Sequence, residues 1–245
     1  MKKTFLLFTM CLLALQSCTI NSEIVYYKDA ASSTIMDIDV REFMAEMKAM
    51  TPDSLQKKEL GEMDKLPTTW TSMYELDKEK NKGKIKDQDS IKILKKVFMK
   101  SNKENNEYAG FSLKLDHFSK PDYDALHRLS VGYQLPVDQN VYNDWNGKTL
   151  TINTENLNLK NIEEALKSKT PQEEIESAEG LLPMLFKKIG TTLKFENKIK
   201  SITGKHDWVQ QVDDHSIRIE YDIKALYDKE FKFKHDDKMI IITTE

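Results

Sequence analysis

The chain has 245 residues, 31% of them charged, with 40 acidic side chains against 37 basic ones and a formal net charge of −3. That balance has the wrong sign for a protein that grips nucleic acid or an anionic lipid surface through charge. Eight glycines, fewer than the roughly 7% of an average protein, leave little backbone for the close approaches that phosphate and dinucleotide sites need; G-x-S-x-G, H-E-x-x-H, G-x-x-x-x-G-K-[ST] and G-x-G-x-x-G are all absent.

The N-terminal segment carries the clearest pattern. Met1-Lys2-Lys3 is followed by an apolar run from Phe5 to Leu15 and then by Leu15-Gln16-Ser17-Cys18. A charged start, an apolar stretch too short to span a bilayer comfortably and small residues before a cleavage point are the parts a signal peptidase reads. Leu15 to Cys18 resembles the lipobox of bacterial lipoproteins. The resemblance implies that residues 1–17 are a signal peptide, that Cys18 is lipidated and becomes the first residue of the mature chain, and that the protein meets its membrane through that lipid. Thr19-Ile20-Asn21-Ser22 has no acidic cluster of the kind some bacteria use for surface display, so the expected location is the periplasmic face of the outer membrane.

Cys11 and Cys18 are the two cysteines of the sequence. Cys11 would leave with the signal and Cys18 would carry lipid, so the mature chain is expected to have no disulfide, no thiolate nucleophile and no sulfur ligand for zinc. Removing Lys2 and Lys3 from 37 basic residues leaves 35 against 40 acidic ones, a mature charge of about −5. Residues 18–22 read as the lipidated cysteine and a short tether, reaching no more than ~15 Å, which would hold the fold close to its membrane. Residues 23–245 read as a single domain with enough chain for a hydrophobic core. Its weakest point is near 77–90, where Asp77-Lys78-Glu79-Lys80-Asn81-Lys82-Gly83-Lys84 has the mixed charge of a solvated linker.

In chain order, Ile24 to Lys28 and Thr34 to Asp39 read as a β-hairpin around Asp29-Ala30-Ala31-Ser32-Ser33. Val40, Phe43, Met44, Met47 and Met50 fall at helical spacing, and Thr51-Pro52 starts a second helix running to about Met63. Trp70 to Leu76 reads as a strand; Ile91, Leu94, Val97 and Phe98 mark an amphipathic helix. Phe111, Leu113 and Leu115 alternate with polar residues as a half-buried strand. Ser119, Pro121 and Asp122 open a short helix through His127, and Lys148 to Thr154 alternates again as a strand. Thr170-Pro171-Gln172-Glu173 starts a helix that Gly180 and Pro183 should bend or break. The last third alternates at Leu193 and Phe195, Ile199 and Ile202, Ile217 to Ile223, and Met239 to Thr243, which predicts an antiparallel sheet with one buried face.

Strands, helices and further strands without regular βαβ alternation predict an α+β fold: an antiparallel or mixed β-sheet with amphipathic helices packed on one face. Leu193 to Tyr221, and Tyr26-Tyr27-Lys28-Asp29 leading into Met36-Asp37-Ile38-Asp39, are similar to segments of uncharacterised lipoproteins from Bacteroidota. That similarity implies a shared fold and brings no activity with it.

Two constellations could carry chemistry. Histidine recurs beside aspartate at Asp116-His117, His206-Asp207, Asp213-Asp214-His215 and His235-Asp236-Asp237. His206, Asp207, His215 and His235 are the candidate metal ligands, since imidazole nitrogen and carboxylate oxygen suit a divalent ion. Hairpin turns account for the same aspartates without a metal, and no cofactor is expected. The second constellation is Tyr133, Tyr142 and Trp145, set among Asp138, Asn140, Asn143, Asp144 and Asn146 in a loop; aromatic faces beside amides and carboxylates suit sugar binding. The functional reading is a membrane-anchored, noncatalytic binding or assembly module near the bilayer, with an envelope glycan, lipid or protein as partner. The alternative is a small hydrolase acting on envelope glycan or lipid.

Overall fold

The computed structural model describes residues 18–41, 66–81, 86–129, 144–157, 186–222 and 230–245. Its elements are β1 (Cys18–Tyr26), β2 (Ser32–Asp39), β3 (Thr71–Ser72), α1 (Met73–Asn81), α2 (Gln88–Leu94), β4 (Val97–Glu104), β5 (Glu107–Phe118), α3 (Lys120–Leu129), β6 (Thr149–Asn153), β7 (Phe186–Phe195), β8 (Ile199–Thr203), β9 (Val209–Gln211), β10 (Ser216–Asp222) and β11 (Met239–Thr244), with a 3-10 turn at Thr154–Leu157. The helices expected over Val40 to Met63 and from Thr170 onward fall largely or wholly outside the described residues.

Alternation builds the main sheet. Ile20, Ser22, Ile24 and Tyr26 of β1 point to one face and are all buried, as a period of two requires. The sheet has eight strands in the order β3-β4-β5-β2-β1-β7-β10-β9. It is mixed: β1 and β2 form the expected antiparallel hairpin, while β1 and β7 run parallel. Its edges are short, two residues in β3 and three in β9, which leaves little exposed strand edge for unwanted pairing.

The C-terminal strands do not form one sheet. β7, β10 and β9 extend the main sheet, whereas β8 and β11 join β6 in a second sheet of order β6-β11-β8. Leu150, Ile152, Ile240 and Ile242 of the small sheet share one buried cluster with Ile24, Met36, Ile189, Leu193, Ile217 and Ile219 of the large one. A second cluster, Ile93, Val97, Leu115, Phe118 and Tyr123, seats α2 and α3 on the same inner face over β4 and β5. The fold is therefore α+β, with one sheet face covered partly by helices and partly by a second sheet.

Three local expectations are corrected. The strand expected over Trp70 to Leu76 shrinks to Thr71–Ser72, because a capping box starts α1 there. Glu75 N–H donates to Ser72 Oγ (3.2 Å), and Ser72 N–H donates back to Glu75 Oε2 (3.2 Å). Part of the charged run read as linker is consequently helical to Asn81. The helix expected through Phe98 ends at Leu94, and Val97 and Phe98 open β4. Finally, Thr19 to Ser22 are not a tether. They belong to β1, facing Asp39 to Met36 of β2 and Lys188 to Thr191 of β7.

Candidate functional site

The described chemistry gathers at the two ends of the main sheet. β1 and β7 start at one end, where β2 and β10 finish and the β4–β5 hairpin turn lies. Cys18 is the first residue of β1 and faces Phe186 of β7. Two strands away, Asn105 and Asn106 make the hairpin turn with φ of 51° and 64°, the left-handed pair that a tight two-residue hairpin demands. Arg41, just past β2, pairs with Glu104 beside that turn.

The histidine and aspartate pairs divide between the ends. His206, Asp207 and His235 come together beside the β8–β9 connection, at the Cys18 end. The Asp207 carboxylate accepts hydrogen bonds from the backbone N–H groups of Lys234 (2.6 Å) and His235 (3.1 Å) and another from His235 Nδ1–H (3.1 Å). The Lys234 amide is the main reason its carboxyl lies below the usual carboxylate range. Asp237 works in the same way, accepting from Lys205 N–H at 2.8 Å. His206 is 6% exposed. Its Nδ1 accepts from Trp208 N–H at 3.2 Å, and its Nε2 lies 3.8 Å from Asp236 Oδ1. Burial pushes its pKa down, which keeps the ring neutral with the proton on Nε2. Two carboxylates thus clasp the 234–237 segment to the β8–β9 connection through backbone amides. Among the described residues, no three His, Cys, Asp or Glu side chains converge as a metal site.

His215 stands at the opposite end, apart from that cluster. Its Nδ1–H donates to Phe195 O at 3.0 Å, and its N–H donates to Asp213 Oδ1 at 2.8 Å. The latter bond is the leading cause of the lowered Asp213 pKa. Here a shallow open depression of about 370 Å³ is lined by Val25, Tyr27, Lys194, Glu196, Asp213 and His215, among others. Beside it, His117 Nε2 meets Asp29 Oδ2 at 2.8 Å, and the imidazole lies 4.9 Å from the Tyr27 ring. His117 has φ of 50° at an irregularity in β5–β2 pairing. Sequence reading noted Asp116 beside His117 but missed Asp29, since no local spacing links residues 88 positions apart.

Trp145 lies at this end too. It is half-buried, its ring 5.3 Å from Tyr26 and 5.6 Å from Phe195, and its Nε1–H donates to Tyr27 O at 2.7 Å. Tyr133 and Tyr142 lie outside the described residues, so no geometry joins them to Trp145.

Arg218 is a polar feature that sequence reading passed over. Its guanidinium lies across three strands on the outer sheet face, donating to Thr192 Oγ1 (2.9 Å) and Asn21 Oδ1 (2.9 Å). Gly190 beneath makes room for it, since a Cβ there would overlap the guanidinium.

No protein-family model and no curated protein matches the chain. Among solved structures, the NMR structure of the folded domain of the Mycobacterium tuberculosis LppM protein is similar over 94% of this chain and 90% of that one, at 6% identity and a TM-score of 0.38. A likeness at that score carries no argument about fold or function. No described helix is long and apolar enough to cross a membrane.

Proposed function

We propose that this chain is a lipid-anchored lipoprotein of the bacterial envelope and acts there as a noncatalytic binding or assembly module held at Cys18. The supporting observation joins sequence to structure: the cysteine that ends the lipobox-like Leu15-Gln16-Ser17-Cys18 lies in β1, paired with Phe186 of β7. Ile20, two residues on, is 2% exposed. The partner class is an envelope glycan, lipid or protein, and the periplasmic face of the outer membrane is the location this reading favours.

The test is metabolic labelling of the full chain with an alkyne analogue of palmitate in a bacterial host. Label and membrane fractionation should both be present in the native chain and lost in Cys18→Ala. A native chain without label, or a Cys18→Ala variant that keeps it, would contradict the reading.

A further inference from the structure

The anchored protein has a top and a bottom. Cys18 faces Phe186 directly, and Thr19 is paired with Asp39 on one side and Lys188 on the other. No free residue separates the modified position from the middle of an eight-stranded sheet. A lipid on Cys18 would therefore fix one end of the sheet within a few ångströms of the headgroups. The opposite end, at Tyr26, lies about 30 Å away along the nine residues of β1.

The Cys18 end exposes apolar surface. Phe231 is 40% exposed and Met239 is 47% exposed, two of the four large apolar side chains described as exposed. Both belong to this end, because β8 starts beside Asp214 at the far end and runs toward Gly204, where the Met239 backbone lies close. Ring contacts tie Phe231 to the sheet: Phe233 at 5.1 Å, then Trp208 at 4.9 Å, then Tyr221 at 5.2 Å. Tyr221 faces Ile189, which in turn faces Ile20, two residues from Cys18. Lys232 and Lys234 alternate with the two phenylalanines and are exposed. Aromatic and lysine side chains in alternation suit the boundary between acyl chains and headgroups, with rings reaching in and ammonium groups remaining among the phosphates. The β4–β5 turn is the second element here. Gly110 faces Asp39, and Asp39 faces Thr19, so residues 103–107 extend past the level of Cys18 by roughly 10 Å, close to the depth of one headgroup layer.

The geometry points to a membrane-contact surface made of Phe231, Lys232, Lys234 and Met239 on one side of Cys18 and the Lys103 to Glu107 turn on the other, with a phospholipid bilayer as its partner. The depression at Tyr27, Glu196 and His215 then faces away from that bilayer, and whatever occupies it arrives from the aqueous side. This orientation rests on the anchoring reading above.

In the mature lipidated protein, Cys18 is blocked and Cys11 is gone, so an introduced cysteine is the one free thiol. Full chains carrying Lys232→Cys, Lys103→Cys or Lys148→Cys would be expressed with the palmitate analogue, labelled with an environment-sensitive fluorophore, and reconstituted in phosphatidylethanolamine and phosphatidylglycerol vesicles. Lys148 is exposed and lies at the far end beside Thr244. The expected result is a blue shift and severalfold stronger quenching by bilayer-embedded quenchers at 232 and 103 than at 148. Equal quenching at all three positions in a chain that carries the palmitate label overturns the orientation and leaves the anchor standing. Absence of the palmitate label overturns both.

Discussion

Gly190 and Gly110 are similar in sequence and different in what they permit. At Gly190 a Cβ would displace the end of a flexible arginine, whereas at Gly110, with φ of 149°, it would overlap the backbone carbonyl of Ile38. Gly190→Ala should cost about 1 kcal/mol, the value of the hydrogen bonds Arg218 gives up. Gly110→Ala should cost about 3 kcal/mol or more, because the central strands must separate. Urea unfolding of the two variants checks the order; equal costs would mean that Arg218 cannot move aside. Neither role was legible in the sequence, since a glycine's neighbour across a sheet depends on register. The proposal at Cys18 rests on a signal that is contiguous: charge, apolar run and cysteine all sit within one short segment. Candidate site residues that depend on distant neighbours, such as His117 with Asp29, gave no such signal.

At the scale of elements, local chemistry predicted what it controls. Ser119 and Asp122 were read as a helix start, and Ser119 N–H donates to Asp122 Oδ2 at 2.9 Å at the head of α3. The equivalent pair Ser72 and Glu75 was overlooked because Trp70 and Leu76 gave a strand-like pattern, and the cap prevailed over that pattern. The histidine and aspartate repeat had a clear sequence signature, yet its described geometry is a clasp of carboxylates on backbone amides. Its pH dependence follows from two lowered pKa values. His206 is held neutral by burial, so its contribution is full above its unfolded value of ~6.5 and falls as acid drives its protonation in the unfolded chain. Asp207, held low by the Lys234 amide, contributes fully above its unfolded value of ~3.9 and loses that contribution at lower pH. Thermal unfolding from pH 8 to 3 should show both losses. His206→Gln should flatten the upper window and Asp207→Asn the lower one; a profile unchanged by either variant would separate the clasp from stability.

At the scale of the whole molecule, alternation revealed strands but not their partners. Leu193 and Phe195 look much like Ile240 and Ile242 in sequence, yet the first pair extends the large sheet and the second builds the small one, because each strand buries one face wherever apolar surface awaits it. The parallel pairing of β1 with β7 joins residues about 170 positions apart, beyond the reach of any local signal. If Cys18 carries a lipid, that pairing makes the proposed anchor a rigid attachment in place of a short tether. On the proposed anchoring, lipid and fold meet at one residue, Cys18. Mass spectrometry of the N-terminal peptide of the full chain isolated from bacterial membranes decides this. The expected result is a mature chain that begins at Cys18 and carries a diacylglyceryl group on its sulfur. A chain beginning elsewhere, or beginning at Cys18 with a free thiol, would contradict it.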